Sequence, residues 1–354
     1  MPDGNVTIDA KALEGLVQRV VRAFGSSECE AQLVSTQLVG ANLTGHDSHG
    51  VGLLPLYVDV FLEGGLRINQ HVQVVRDTGT VLVLEGNSGF GQVLGFEALE
   101  LGIARAKEHG TAVVALVNSH HLGRIGHWAE QCIAAGLVSI HFVNVVSDPV
   151  VAPFGGSDAR MVTNPFCVGV PLQGRPPIVL DFATSRIAMG KVRVAMNRGE
   201  QVRPATLIDH RGEPTTDPRS LFADPHGAIL PFGEHKGYGL AVVCELLGGA
   251  LAGGPVIKGK PHSRATINGM VSIVIDPARF GTQSGFASQC DDFIRWVMAS
   301  PVTAGIDRIK MPGEPEADFR RDRTAHGIVI DATTWAEIRK AAAKVGVVEV
   351  WPPV

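Results

Sequence analysis

Near residue 72 the apolar pattern of this 354-residue chain changes period, and that change limits the folds open to it. Before it, Leu13, Leu16, Val17, Val20, Val21 and Phe24 recur at helical spacing and stop at Gly25. Ser27 and Glu30 then stand as a Ser-x-x-Glu capping box, which predicts a second helix to about Leu43. Gly45 to Gly50 breaks that helix, and another apolar stretch runs from Val51 to Leu62. Beyond residue 72, strands are predicted at Thr80–Leu84, Thr111–Val117, Leu137–Val145, Ile178–Phe182 and Met270–Ile275. Between them read helices at Gln92–His109, closed by Gly110, at Ile125–Ala135, closed by Gly136, and at Lys236–Leu251. Residues 198 to 224 read as loop and hairpin, and a last helix opens on a Thr334/Glu337 cap. Short strands separated by helices of this length form α/β crossover units.

Composition removes several function classes. Hydrophobic residues make up 45%, too many for a disordered chain. With 31 Lys+Arg against 35 Asp+Glu the net charge is -4, so there is no electrostatic footprint for nucleic acid or an anionic membrane. No run approaches the ~18 apolar residues of a bilayer span. Met1 to Asn5 has neither the basic region nor the apolar stretch of a secretory signal. Cys29, Cys132, Cys167, Cys244 and Cys290 are scattered without a CxxC, which argues against a disulfide framework or a structural zinc. A cytoplasmic protein is the simplest reading. Charged residues are only 19%, which leaves room for a surface hidden against another subunit.

Two glycine-bounded histidine clusters hold the first candidate chemistry: Gly45-His46-Asp47-Ser48-His49-Gly50 and Asn118-Ser119-His120-His121-Leu122-Gly123-Arg124-Ile125-Gly126-His127. The second begins at the carboxyl end of a predicted strand, where open α/β sheets bind ligands. A histidine there exchanges protons near neutral pH, and the helix that follows offers free N–H groups to an anion. His46 and His127 read as structural. The histidine spacings match no zinc signature, and Asp47, Ser48 and His49 are too close in sequence to align as a hydrolytic triad. Gly89-Phe90-Gly91-Gln92-Val93-Leu94-Gly95 gives GxGxxxG, one residue off the dinucleotide fingerprint and with no acidic residue at the end of the next strand. Asp181 ends an apolar strand and reads equally as a helix cap or a ligand contact; His235 and Lys236 read as a site or as an exposed first turn.

Seven segments together resemble the type-2 malate/L-lactate dehydrogenase family of NAD(P)-dependent 2-hydroxyacid dehydrogenases. They are GHDSHGV (45–51), NSHHLGRIG (118–126), TNPF (163–166), LDFATS (180–185), GK (190–191), EHKGYGLA (234–241) and PGE (312–314). The wording is most similar to the hydroxycarboxylate dehydrogenase B branch, whose members reduce 2-oxo acids, aromatic ones included. The resemblance implies a non-Rossmann, three-layer α/β fold with a central mixed seven-stranded sheet. It also implies a helical N-terminal segment (1–75) packed with a C-terminal helix (315–354), around a cofactor-binding domain (76–314). It implies a homodimer with a small-molecule substrate, and NAD as cofactor with NADP as the second candidate.

By motif position, His121 resembles the proton acceptor and donor, and Ser48-His49 the pair that meets substrate and nicotinamide. Asp181 resembles the acid that orients the site. Gly123, Arg124, Ile125, Asp181, Phe182, Ala183, Thr184, His235, Lys236, Asn268, Gly313 and Glu314, with His49, would hold cofactor. Many members carry an arginine five residues after the serine to clamp the substrate carboxylate; here that position is Leu53. Arg124 or an imidazolium at His49 would have to take over, and the more apolar pocket suits a bulky 2-oxo acid better than malate. The alternatives from other classes are a metal-dependent hydrolase or lyase using the same histidines, and a dimeric protein that binds these ligands without turnover.

Overall fold

The alternation beyond residue 72 becomes one mixed seven-stranded sheet. In this computed structural model, which describes residues 4–261 and 263–348, its spatial order is Gln73–Asp77, Val81–Glu85, Thr111–His120, Ile267–Ile275, Val138–Val146, Phe166–Val170 and Ile178–Phe182. Val81–Glu85 and Thr111–His120 run parallel across the helix Gly91–His109, and the other neighbours are antiparallel. Two strands of this sheet escape the sequence reading. Gln73–Asp77 is exposed along its whole length and so shows no apolar alternation. Phe166–Val170 is short and contains Gly169.

Side chains alternate across the sheet as pleating requires. Leu82, Leu84, Val114, Leu116, Met270 and Val274 face the helices Gly91–His109 and Gly126–Ala134. Ala115, Val117 and Val271 face the other way and pack with Ala252, at the end of the helical segment 235–251. That segment is an α-helix to Cys244 and continues as a wider π-turn over Glu245–Leu251.

The amphipathic helix Ala10–Ala23, predicted from its stripe, buries Leu13, Leu16, Val17, Val20 and Val21. Its core extends through Tyr57 and Phe90 to Trp335 and Ile338 of the helix Ala332–Lys344. Val6–Ile8 pairs antiparallel with Ile328–Ile330, tying the two ends of the described chain together. Residues 349–354 of the expected C-terminal segment lie outside the described residues.

Two caps differ from expectation. Ser27 does accept from the Glu30 N–H at 3.2 Å, but the Glu30 carboxylate turns away to the Asn69 N–H, so the box is half formed. The last helix is capped by Asp331, which accepts from Thr334 N–H at 2.9 Å. A carboxylate three residues earlier serves those N–H groups, so Thr334 lies inside the first turn. Among the described residues no helix is long and apolar enough to cross a membrane.

Candidate active site

The strand Thr111–His120 keeps regular register with Ile267–Ile275 until Leu116 meets Met270. Asn268 then faces Ser119, so Val117 and Asn118 together oppose Gly269, a β-bulge with Asn118 at φ 51°. Asn118 Nδ2 donates to Glu85 at 2.8 Å, and Asn268 Oδ1 accepts the Leu122 N–H at 2.9 Å. The bulge and these two amides set the strand's carboxyl end so that His120 is wholly buried and His121 only half-buried. Asn268, expected against cofactor, also donates to the Asn144 carbonyl at 3.0 Å and is buried beside the His121 loop. The GxGxxxG glycines have a packing role: a methyl on Gly91 would sit 2.3 Å from the His121 carbonyl oxygen, and one on Gly95 2.6 Å from the Trp128 ring.

His49 comes from the other cluster, on a short 3-10 turn, Asp47–His49. Its ring stacks on His121 with centroids 5.6 Å apart, and Ser48 Oγ lies 3.0 Å from His49 Nδ1. The turn is braced by Asn42, which donates to Asp47 at 2.7 Å and accepts from Val51 N–H at 2.8 Å, and by Arg323 on Asp47. Burial, then the charges of His46, Arg124 and Lys191, hold the His49 imidazole down to about 4. Burial, then His49 and His120, hold His121 well below the ordinary histidine value. Both rings are therefore neutral at pH 7. His121 Nδ1 lies 2.8 Å from the Tyr57 hydroxyl, which accepts from Gln92 Nε2 at 3.0 Å.

The Asp181 carboxylate accepts the Gly126 N–H at 2.8 Å, so it caps the helix Gly126–Ala134 from a neighbouring strand. The free N–H groups expected there for an external anion are thus engaged: Asp181 is the anion, and His127 and Trp128 bond back to Arg124 and Ile125. Burial raises the Asp181 pKa, opposed by Arg124. Arg124 is itself buried, donating to Glu130 at 2.8 Å with its Nε 3.7 Å from Asp181. Two carboxylates already compensate this guanidinium, and the Ile125 side chain belongs to the core. Gly123, at φ 73°, turns the chain between His121 and Arg124.

The remaining expected contacts lie around this centre. Phe182 packs edge-on against Phe232 with centroids 5.2 Å apart, Ala183 is half-buried, and Thr184 is buried, donating to the Thr163 and Asn164 carbonyls at 3.0 Å. His235 and Lys236 are exposed in a first turn whose Lys236 and Gly237 N–H groups bond to Gly233 and Phe232, so an anion there would meet side chains first. Gly313, at φ 96°, packs on Val179, and Glu314 accepts from Met311 N–H at 2.8 Å and from Arg308 at 2.7 Å.

Three residues at the centre had been given no role from sequence. Tyr57 and Gln92 sit inside ordinary apolar helical stretches, which gives no signal. Lys191 lies in the quoted GK pair. A methyl on Gly190 would sit 2.8 Å from Ser48 Cβ, so the start of the helix Met189–Arg198 abuts Ser48. Lys191 is exposed there and makes no ion pair with a described residue. Val192 shares a core with Ala241 and Tyr238, which puts the Lys236 helix alongside. Leu53 is half-buried against the helical core. Among the described residues no three His, Cys, Asp or Glu side chains converge as metal ligands.

Comparison with known proteins places these features in context. A family model described as malate/L-lactate dehydrogenase matches residues 8–339. The chain is similar to a hydroxycarboxylate dehydrogenase B of Escherichia coli (strain K12), 49% identical over 96% of this chain and 95% of the relative. It is 38% identical to an L-lactate dehydrogenase of Cupriavidus necator over 89% of this chain and 90% of that one. The solved sulfolactate dehydrogenase of Methanocaldococcus jannaschii superposes with a TM-score of 0.86 at 30% identity, covering 97% of this chain and 98% of the other.

Proposed function

The chain belongs to the malate/L-lactate dehydrogenase family, and on that premise we propose that it interconverts a 2-hydroxy acid and its 2-oxo acid with a nicotinamide cofactor. The observation that carries this reading is the stack of neutral His121 on His49, with Ser48 beside it, at the carboxyl end of a sheet strand. The residues fit an anionic dinucleotide in one respect: Lys236 is exposed in the first turn of its helix and forms no ion pair with a described residue. A nicotinamide cofactor held there would supply hydride chemistry, the C2 hydride passing to it in oxidation and back in reduction.

In oxidation His121 takes the hydroxyl proton on Nε2, the ring nitrogen that Tyr57 does not hold. The hydrogen-bonded Ser48–His49 pair has one proton left over, which it presents as a single donor to the forming carbonyl oxygen, a contribution of about 2–4 kcal/mol to the barrier. Asp181 acts at one remove, fixing the helix that follows His121. With Leu53 apolar, Arg124 already paired with two carboxylates, and His49 neutral, we assign the substrate carboxylate to Lys191. An apolar residue in the family arginine's position suits a bulky or aromatic 2-oxo acid.

The proposal extends to NAD as the cofactor and to a cytoplasmic homodimer. Five free cysteines support the compartment, and Leu246 and Leu251, exposed by 53% and 71% on the π-turn, support a covered apolar surface. Fluorescence titration with NADH and NADPH is the first test. The second is an NADH-oxidation screen over pyruvate, phenylpyruvate, 4-hydroxyphenylpyruvate, oxaloacetate, 2-oxoglutarate and glyoxylate. We expect tighter NADH binding and fastest turnover of an aromatic 2-oxo acid. Binding without turnover of any member would leave a binding protein. Stoichiometric metal without NADH binding would point to the hydrolase or lyase, which the relatives do not favour.

A further inference from the structure

Gln92 lies in the first turn of the helix Gly91–His109, wholly buried, with its backbone carbonyl held by Gln37 Nε2 at 3.0 Å. Its side-chain Nε2 donates to the Tyr57 oxygen at 3.0 Å, while its Oε1, also buried, meets no partner among the described residues. The Tyr57 hydroxyl in turn lies 2.8 Å from His121 Nδ1. A phenol has one proton to give. With Gln92 donating to the phenol oxygen, that proton goes to His121 Nδ1, and the neutral imidazole carries its own proton on Nε2. A half-turn of the Gln92 amide exchanges Oε1 and Nε2, moves no other heavy atom, and keeps the same number of hydrogen bonds. The Tyr57 proton then goes to Gln92 Oε1, the phenol oxygen accepts from His121 Nδ1–H, and the Nε2 lone pair is free.

We propose that the orientation of the Gln92 amide, relayed by the Tyr57 hydroxyl, selects which ring nitrogen of His121 carries the proton. Tyr57 and Gln92 are positioning residues; the consequence for rate rests on the reading of His121 as the proton carrier. With Nε2 protonated, His121 has no lone pair there to accept a hydroxyl proton. With Nδ1 protonated it has one, and the substrate O–H bond breaks as the Nε2–H bond forms while the C2 hydride leaves to the cofactor. The resulting imidazolium still donates Nδ1–H to Tyr57, so the phenol need not turn again during the step. The titratable groups that face His121 are His49 across the stack, His120 at the end of the preceding strand, and Tyr57. Burial keeps His49 and His120 neutral and raises the Tyr57 pKa, so none of the three competes with the amide as a charge.

The tautomer is read directly from imidazole nitrogen shifts in protein labelled with 15N-histidine, with His121→Asn assigning the signals. In the unliganded wild type Nε2 carries the proton; an Nδ1–H form that persists in Gln92→Met, where Tyr57 has no amide oxygen to donate to, overturns the inference. Gln92→Glu switches His121 to Nδ1–H as the pH rises through the new carboxyl's titration, because an ionised carboxylate only accepts. Persistence of Nε2–H across that titration is the opposite result and sinks the idea. Gln92→Met leaves Tyr57 no acceptor but His121, and lowers oxidative kcat roughly 10²-fold with Tm and NADH affinity retained. Adding Tyr57→Phe removes the lock, so the double variant turns over faster than Gln92→Met alone; a slower double variant means a packing role only. A Gln92→Glu tautomer switch together with unchanged Gln92→Met turnover upholds the selection and removes His121 from the proton path.

Discussion

The His49 and His121 rings stack with centroids 5.6 Å apart and planes inclined by 24°, one on a turn of the helical layer and the other at the end of a sheet strand. Two imidazoles this close tolerate each other because burial holds both neutral, and a proton on either would place a cation against its neighbour. The pair offers a hydroxyl group a base on one side and a donor on the other.

Replacing the base leaves the cleft's shape nearly intact. His121→Asn is expected to lower oxidative and reductive kcat by about 10²- to 10⁴-fold. NADH affinity, measured by fluorescence titration, is expected to hold within a few-fold. Near-normal turnover at unchanged affinity would remove His121 from the mechanism.

Lys191→Met tests the carboxylate assignment. A charge-assisted hydrogen bond contributes about 1.5–3 kcal/mol, so KM for the 2-oxo acid should rise roughly 10- to 150-fold. kcat at saturation should change far less. If KM is unmoved in Lys191→Met and rises in Arg124→Leu, the carboxylate sits on Arg124.

Gly91 makes a tight backbone contact behind the site. A methyl there would meet backbone, the His121 carbonyl oxygen at 2.3 Å, which cannot swing aside as a side chain would. Gly91→Ala should destabilise the fold by about 1–3 kcal/mol and displace the His121 loop. The expected signature is a lowered urea midpoint together with lost turnover. A fully active Gly91→Ala of unchanged midpoint would contradict this packing.

Acid should unfold the protein through histidines that stay neutral when folded. His141, between Ser272 Oγ at 2.8 Å and Ser139 Oγ at 2.9 Å, is wholly buried and pushed down to about 3. The unfolded chain binds a proton there as pH falls through about 6.5, and the folded chain does not until near 3. Its stabilisation is therefore complete above pH ~6.5 and declines by about 1.4 kcal/mol per pH unit below it. His141→Gln should be less stable at pH 7 yet lose about 2 kcal/mol less than wild type between pH 7 and pH 5. Parallel losses in urea unfolding at the two pH values would refute it.

Periodicity in the sequence was enough for the elements that bury one face. The Leu13–Phe24 stripe repeats at helical spacing, Gly110 closes the helix before it, and Ile178–Phe182 reads as a short apolar run. The exposed strand Gln73–Asp77 has no buried face and so left no pattern. The same limit holds at the site. The two histidine clusters are legible because histidines between glycines are unusual chemistry in a loop, and the family resemblance singled out Ser48, His49 and His121 within them, whereas Tyr57 and Gln92 sit in apolar helical stretches. Tertiary structure alone made Asp181 the cap of a helix from another strand, engaged Arg124 with Glu130, and set Lys191 on the helix that abuts Ser48. A side chain's composition and spacing fix which face it occupies. Which partner meets it there depends on how separate elements dock, and the bulge at Val117–Asn118 decides that for His121.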